Sequence, residues 1–269
     1  MGLDYRKPAL DAAVQTINPG RAKGIIIIGG PNARGNQLKA DGASWPSMVT
    51  HPISGANIWN PFQIYAVSGV AMSGVWETYN AGVNSNSWPP AWGPEASLLY
   101  DMIHGDGYDI YCVKVTGNPS ANIQSPGAWD DWAPHSQEYY NVLMEDVKRA
   151  ATALPTGVNF EEVFMIQGEA DSTNWNAWGY AGATKDIIDQ LRVDLNPGMK
   201  LVHAELHDHL DPTLFPADQY VRYGILSGAA ADPLMTTASV SGFQVGPNSI
   251  NFNASGYIGL GHALYNARL

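Results

Sequence analysis

Residues 24–35 read GIIIIGGPNARG, and this stretch decides the fold class. A short, wholly apolar run of β-branched residues between glycines is typical of a central strand that is buried on both faces. The glycine-rich turn that follows lies at the carboxyl end of this strand, where open α/β sheets place their binding sites. The turn is therefore the first candidate for a functional site.

Strands alternate with helices along the rest of the chain. Further strands are predicted at residues 108–115, 161–168 and 200–206. Helices are predicted at residues 94–103, 136–151, 187–195, 216–226 and 254–265. Because strands that alternate with helices pair in parallel through right-handed crossovers, the sequence predicts an α/β protein. The expected architecture is a three-layer α/β/α sandwich with a central parallel sheet.

The domain organisation follows from turn signals. Residues 1–23 end soon after Asn18-Pro19-Gly20 and are predicted to form an N-terminal arm. Residues 24–269 are predicted to form a single domain, because no linker interrupts them. Within that domain, residues 36–92 are rich in proline and tryptophan. We expect short helices there, because a structureless loop of this length is improbable inside a compact domain.

The charge balance excludes several classes of partner. The chain has 269 residues and a formal charge of −11, from 14 Lys plus Arg against 25 Asp plus Glu. Because such a surface repels phosphate backbones, nucleic acid and anionic membranes are not expected as partners. No stretch approaches the roughly 18 apolar residues of a membrane-spanning helix, and no secretory signal is visible. The single Cys112 excludes a disulfide framework.

Four stretches of the chain match sequence blocks of one family. Residues 29–35, GGPNARG, are similar to the block G-Q-S-N-M-x-G, and residues 92–103, WGPEASLLYDMI, to a glycine block that precedes a helix. Residues 165–171, MIQGEAD, are close to W-x-Q-G-E-x-D, and residues 248–261, NSINFNASGYIGLG, to D-x-x-H-F-N-x-x-G-x-x-x-L-G. The chain thus resembles the SGNH hydrolase superfamily, most closely its sialate O-acetylesterase and carbohydrate esterase family 6 branch. The resemblance implies the flavodoxin-like SGNH hydrolase fold.

The chain departs from this family at the three catalytic positions. The resemblance places the nucleophilic serine at Pro31, the acidic triad member at Asn248 and the histidine at Asn251. A serine esterase needs an attacking oxygen, a base to take its proton and a carboxylate to orient that base. Proline and asparagine supply none of these groups. The sequence therefore predicts a degenerate triad in a protein that no longer performs this reaction.

Other polar positions of the expected cleft match the family. The resemblance implies that Asn32 and Gly93 lie where the family forms its oxyanion pocket, although without a nucleophile they can simply hold the turn. Gln167, Glu169 and Asp171 follow the third strand. They can bind a ligand or act as acid and base, or they can satisfy backbone groups of the neighbouring loops. We favour the second interpretation by about two to one, because loop-rich faces need such anchors.

Two further groups of residues have alternative interpretations. His207 and His209 can share one face of an extended segment and ligate a metal, but such loop clusters more often form hydrogen bonds at the surface. We therefore predict no metal and no cofactor. Tryptophans occur in loops expected at one end of the sheet, at positions 88, 92, 129, 132, 175 and 178. Trp175 and Trp178 are candidate ligand-binding residues, but packing of the loops onto the sheet is favoured for most of these rings.

The leading functional hypothesis is a non-catalytic domain that acts as a structural or recognition part of an assembly. By analogy, this assembly is a bacteriophage virion, with the chain as a head decoration, a head fibre or a tail part. Other virion proteins, or the chain itself, are then the expected partners, and the location is the virion if the protein is viral and otherwise the cytoplasm. One alternative is a carbohydrate-binding protein that uses the former esterase cleft. Another is a hydrolase of acetylated glycans with relocated catalytic residues.

Overall fold

In the computed structural model of the chain, the four isoleucines lie in the middle of β1 (Ala22–Gly29) and are fully buried. Ile26 and Ile28 pack into a core cluster on one face of the sheet, and Ile25 and Ile27 into the cluster on the other face. This alternation follows from the two-residue period of a strand, whose successive side chains point to opposite faces. The prediction of a central strand buried on both faces is confirmed.

The structure describes residues 22–38, 45–60, 74–85, 91–124, 131–136, 138–153, 158–248 and 250–268. The predicted arm, residues 1–23, lies outside them except for Ala22 and Lys23, which are the first residues of β1. The other strands are β2 (Gln37–Leu38), β3 (Ala56–Asn60), β4 (Val75–Thr78), β5 (Ala91–Trp92), β6 (Asp109–Thr116), β7 (Phe160–Ile166), β8 (Lys200–Ala204) and β9 (Met235–Ala238). The α-helices are α1 (Pro31–Arg34), α2 (Ser47–Thr50), α3 (Glu95–Asp106), α4 (Tyr139–Thr152), α5 (Tyr180–Asp194), α6 (Asp218–Ala231) and α7 (Ala254–Asn266).

Seven of these strands form the main sheet, in the order β4-β3-β6-β1-β7-β8-β9. Every neighbouring pair is parallel except β3 and β4, so the expected parallel sheet has an antiparallel strand at one edge. The separate pair of β2 and β5 is antiparallel. The stretch 36–92 contains the expected short helix, α2, but it also supplies β2 to β5, which were not predicted.

Helices cover both faces of the main sheet. The core cluster on one face contains residues of α4, α5 and α6, and the cluster on the other contains residues of α3 and α7. Helices α3 and α7 approach each other closely at Gly261, where an added Cβ atom would lie 2.1 Å from the Ser97 hydroxyl. That hydroxyl donates to the carbonyl of Ile258 at 2.8 Å. The predicted three-layer α/β/α sandwich is confirmed. Among the described residues, no helix has the length and apolar composition needed to cross a membrane.

The carboxyl end of β1 is fixed between its two neighbours. Gly29 has a φ angle of +141°, and an added Cβ atom there would lie 1.9 Å from the carbonyl oxygen of Ile166 on β7. On the other side, the amide of Gly117 donates to the carbonyl of Gly29 at 2.7 Å. A residue without a side chain is therefore required at this position. The turn that follows β1 starts from a rigid point of the sheet.

A buried carboxyl on α4 gives the fold a specific pH dependence. Burial raises the pKa of Asp146 from its ordinary value near 3.8 to about 7, although the indole of Trp59 donates to it at 3.4 Å. The folded chain therefore holds this proton more tightly than the unfolded chain. This group's contribution to stability is fully present below about pH 4, falls as the pH rises to about 7 and is constant above that.

Replacing Asp146 by asparagine is expected to remove this dependence, because the amide cannot ionise. The variant should match the unmodified chain near pH 4 and exceed it by on the order of 1–3 kcal/mol near pH 8, measured by urea unfolding across this range. Glu145→Gln is the control, since it makes the same charge change on the same helix at a side chain that is 55% exposed. If the free energy of unfolding of Asp146→Asn and of the unmodified chain changed equally with pH, the expectation would be contradicted.

Candidate functional site

The predicted sequence blocks meet at the carboxyl end of the parallel strands. The first and second blocks touch through glycines, because an added Cβ atom on Gly35 would lie 2.3 Å from the Cα atom of Gly93. The third block follows β7 directly, and the closing block leads into α7. Segments that are far apart in the sequence thus form one polar cluster at this end of the sheet.

Asn32 on α1 is the centre of this cluster, and 1% of its surface is exposed. Its amide nitrogen donates to Glu169 Oε1 at 2.7 Å and to the carbonyl of Ile250 at 3.1 Å. Its amide oxygen accepts from the backbone of Phe252 at 3.1 Å and from the hydroxyl of Tyr257 at 3.4 Å. Both amide hydrogens are therefore used inside the protein, and none is left for a substrate oxygen.

The second expected oxyanion donor is also occupied. The backbone amide of Gly93 donates to Glu95 Oε1 at 3.0 Å, and the hydroxyl of Tyr79 donates to the same oxygen at 3.0 Å. The Glu95 side chain is fully buried. An oxyanion pocket needs N–H groups that point at the position where the negative charge develops. Asn32 and Gly93 instead hold two buried carboxylates of the chain itself.

The three positions that the resemblance assigns to the triad lie at this same end. Pro31 is the first residue of α1, where a missing N–H group costs nothing and the fixed φ angle suits the helix. Asn248 is exposed, and its side-chain oxygen accepts from the amides of Ile250 and Asn251 at 3.1 and 3.0 Å. Asn251 lies between the two residues whose backbone groups bond to Asn32. Its buried side-chain oxygen has no hydrogen-bond partner among the described residues.

Gln167 and Asp171 connect the loops that follow β6 and β7. The amide nitrogen of Gln167 donates to the carbonyl of Ala121 at 2.6 Å and to Asp171 Oδ2 at 3.0 Å. The other oxygen of Asp171 accepts from the amide of Ile123 at 2.8 Å. Burial raises the pKa of Asp171 to about 7, and these hydrogen bonds oppose the shift. The structure therefore supports the interpretation that these side chains anchor loops.

His207 belongs to the cluster, but its two ring nitrogens are both used. Its Nε2 atom lies 2.7 Å from the carbonyl of Ile250, and its Nδ1 atom accepts from the amide of His209 at 3.2 Å. Because a carbonyl can only accept, the proton must be on Nε2. Burial lowers the pKa of His207, against the opposing effect of Glu169. This ring is a neutral structural link, and no group of three metal-ligating side chains occurs among the described residues.

The tryptophans do not form a shared surface in the part of the chain that is described. Trp92 and Trp132 are fully buried, as expected for rings that pack loops onto the sheet. Trp178 is 67% exposed and stacks on Tyr220, with the ring centroids 3.9 Å apart. The side chain of Trp175, together with Trp88 and Trp129, lies outside the described part.

Sequence reasoning missed the partner of Glu95. The ammonium group of Lys114 on β6 donates to Glu95 Oε2 at 2.8 Å and to the carbonyls of Arg34 and Ser85 at 2.8 and 2.9 Å. Both side chains of this ion pair are fully buried. A lysine inside an apolar strand is the signal that can reveal such a pair, because a buried ammonium group needs a carboxylate. The pair holds β6, α3 and the end of α1 together beneath the candidate site.

Comparisons with known proteins identify the fold. No family model matches the chain, and no curated protein matches it. A solved structure of a protein from Arabidopsis thaliana aligns with a TM-score of 0.70 over 91% of this chain and 97% of its own length, at 16% identity. The structure of NanS aligns with a TM-score of 0.58 over 86% and 80%, at 13% identity. A carbohydrate acetylesterase from Xanthomonas citri aligns with a TM-score of 0.59 over 91% and 55%, at 16% identity.

The chain has the SGNH hydrolase fold. The fold predicted from the four sequence blocks is therefore confirmed. The finer assignment to carbohydrate esterase family 6 and the degenerate triad stay predictions. In this SGNH hydrolase fold, the polar cluster around Asn32 occupies the place that the sequence blocks assign to the active site.

Proposed function

We propose that the chain is a non-catalytic protein with the SGNH hydrolase fold that serves as a structural or recognition part of an assembly. One observation supports this proposal most directly. The amide of Asn32 and the N–H group of Gly93 are bonded to Glu169 and Glu95 of the chain itself. A site whose donors are occupied by carboxylates has no electrostatic means to stabilise a developing oxyanion.

The chemistry of the three triad positions supports the same proposal. Pro31 has no hydroxyl to attack an ester, and Asn248 and Asn251 cannot orient or accept a proton as a carboxylate and an imidazole do. His207 is the histidine of the cluster, but a base must have a free ring nitrogen within reach of the nucleophile. Its Nε2 and Nδ1 atoms contact the carbonyl of Ile250 and the amide of His209.

We propose a bacteriophage virion as the assembly. The composition supports it, because charged residues make up only 14% of the chain and it contains 28 glycines and 9 tryptophans. Such a composition suits long ordered loops with much contact surface. Peptide mass spectrometry of purified particles of the virus that encodes the chain tests this step. The protein is expected in stoichiometric amounts in intact particles, and its absence from them would contradict the virion assignment.

The purified protein is expected to show no turnover of acetylated esters above background. Pro31→Ser alone should not restore turnover, because the base, the orienting carboxylate and the oxyanion donors would still be missing. Release of acetate from p-nitrophenyl acetate and from acetylated xylan measures the activity, with a serine acetylesterase as the positive control. Turnover by the unmodified chain that survives repeated purification would contradict the proposed function.

The alternatives have weaker support in the described residues. Glycan binding in the former cleft needs free polar atoms there, but the side-chain polar atoms of Asn32 and Asp171 and the amide nitrogen of Gln167 bond to the protein itself. A hydrolase with relocated residues needs a base, and His207 has no free ring nitrogen. Exposed Trp178 lies just before α5, where it stacks on Tyr220.

A further inference from the structure

A groove of about 560 Å³ lies between α5 and α6 on the outer surface of the fold. The two helices run in the same direction, because each follows a parallel strand. Small residues form much of the lining: Ala181, Gly182, Thr184, Ser227, Gly228 and Ala231. An added Cβ atom on Gly182 would meet no atom within 4 Å, so the wall of the groove is open at this point.

Aromatic rings and an exposed ridge border this groove. Trp178, just before α5, stacks on Tyr220 at the start of α6. Further along α6, Tyr223 and Leu226 are 73% and 52% exposed, and Ala230 is also exposed. At 3.6 residues per turn these three residues lie along one side of α6, next to the side that lines the groove. The face therefore has an apolar ridge and an apolar groove side by side.

Two polar atoms of the groove residues are buried without a partner. The hydroxyl of Thr184 has no hydrogen-bond partner among the described residues, and neither has Arg192 Nη2. Arg192 uses its other nitrogens, which donate to Asp232 at 2.6 Å and to the carbonyl of Met199 at 3.0 Å. A buried donor without an acceptor costs about 1–3 kcal/mol. Both atoms are enclosed by the chain, so an acceptor from outside would reach them only after the lining side chains move.

The charge of the face is balanced, in contrast to the chain as a whole. Lys185 and Arg192 line the groove together with Asp189 and Asp232, so their formal charges cancel. The chain carries −11. The comparable groove between α4 and α5 is lined by three aspartates and by no lysine or arginine. Two acidic chains that approach each other therefore meet less repulsion at the α5–α6 face than at the groove between α4 and α5.

We propose that the α5–α6 face binds the same face of a second copy of the chain. A two-fold axis parallel to α6 and between the ridge and the groove places the ridge of each copy over the groove of the other. An isologous contact of this kind needs both features on one surface, as found here. Tyr223 of the second copy then packs near the Trp178–Tyr220 pair.

Exposed aromatic rings supply a substantial part of the apolar surface for such a contact. With 67% and 73% exposed, Trp178 and Tyr223 contribute roughly 200–350 Å², taking about 150–250 Å² for a fully buried aromatic side chain. A stable interface buries about 800 Å² per partner, so these two rings supply roughly a third of it. The groove walls and Leu226 provide further apolar surface. Tyrosine and tryptophan are also the residues that most often dominate binding energy.

Sedimentation velocity over a range of protein concentrations tests the proposal. The unmodified chain is expected to shift from one chain of 29.0 kDa to two as the concentration rises. Tyr223→Lys on the ridge and Gly182→Leu in the groove should each weaken association at least tenfold. Gly182→Leu is expected to fold, since its Cβ atom has free space. Circular dichroism and urea unfolding of the dilute monomer verify folding.

Matched substitutions elsewhere on the surface are the controls. Tyr108→Lys changes another exposed tyrosine, and Gly198→Leu changes an exposed glycine with room for a Cβ atom. Both should associate like the unmodified chain. A chain that stays monomeric at every concentration overturns the proposal, as does a dimer that all four variants weaken equally. A monomer that binds soluble xylo-oligosaccharides through Trp178 also overturns it, and assigns the groove to a glycan. None of these outcomes depends on whether the chain hydrolyses esters.

Discussion

Replacing Lys114 by methionine is expected to lower the free energy of unfolding by about 3–5 kcal/mol, because it leaves a buried carboxylate without its counter-charge. Glu95 has no exposure to water that would replace the ammonium group. The carbonyls of Arg34 and Ser85 would lose a donor in the same step. Each of these groups is desolvated in the folded chain, so the loss of each contact destabilises the folded state.

The Lys114–Glu95 ion pair also positions the contact between the first two sequence blocks. Glu95 holds the amide of Gly93, and Gly93 packs against Gly35 at the end of the first sequence block. Burial lowers the pKa of Lys114, and the Glu95 carboxylate opposes this shift. The charged pair is therefore sustained by its internal hydrogen bonds rather than by solvent. Loss of the lysine should loosen the contact between the first two blocks as well as destabilise the fold.

Urea unfolding measures the effect, with two comparison variants. Lys185→Met breaks an ion pair with Asp189 whose side chains are 70% and 45% exposed, and it should cost no more than about 0.5 kcal/mol. The double variant Lys114→Met with Glu95→Gln should recover part of the loss, because it leaves no unpaired charge. If Lys114→Met costs as little as Lys185→Met, the buried pair does not stabilise the fold.

The main sheet could be predicted where the strands contain an uninterrupted apolar run. The run of isoleucines in β1 and the apolar runs of β6, β7 and β8 have no competing interpretation, since both faces of each are buried. The strands β3, β4 and β9 were missed because Asn, Glu or Thr residues interrupt their apolar residues. Length alone does not explain the difference, since β8 also has only five residues. Their pairing in the sheet, rather than their own sequence, makes them strands.

The candidate site could be predicted only in part. The sequence blocks identified Asn32, Gly93 and Glu169, and the structure brings these blocks together at one end of the sheet. The roles of these side chains depend on partners that no local pattern reveals. His207 contacts a carbonyl 43 positions away, and Lys114 contacts a carboxylate 19 positions away. Such contacts follow from the topology of the sheet, which places distant loops side by side.

Replacing Asn32 by aspartate is expected to lower the free energy of unfolding by about 3–5 kcal/mol near pH 8, the second large effect of a single substitution. The change removes the donors to Glu169 and Ile250. It also puts a second carboxylate where the amide nitrogen now lies 2.7 Å from Glu169. Two carboxylates that share a buried site cannot both ionise at low cost, so the loss should shrink near pH 4, where a proton bridges them.

Asn248→Asp is the matched control for this substitution. Among the described residues, the Asn248 side chain forms hydrogen bonds through its oxygen, which accepts from Ile250 and Asn251, and aspartate can accept in the same way. Its stability should stay within about 0.5 kcal/mol of the unmodified chain, since the side chain is exposed. Urea unfolding at both pH values compares the two variants. Equal stability of Asn32→Asp and Asn248→Asp near pH 8 would show that Asn32 does not tie the closing block to Glu169. A selective loss at Asn32 would instead show that the Asn32 amide stabilises the fold.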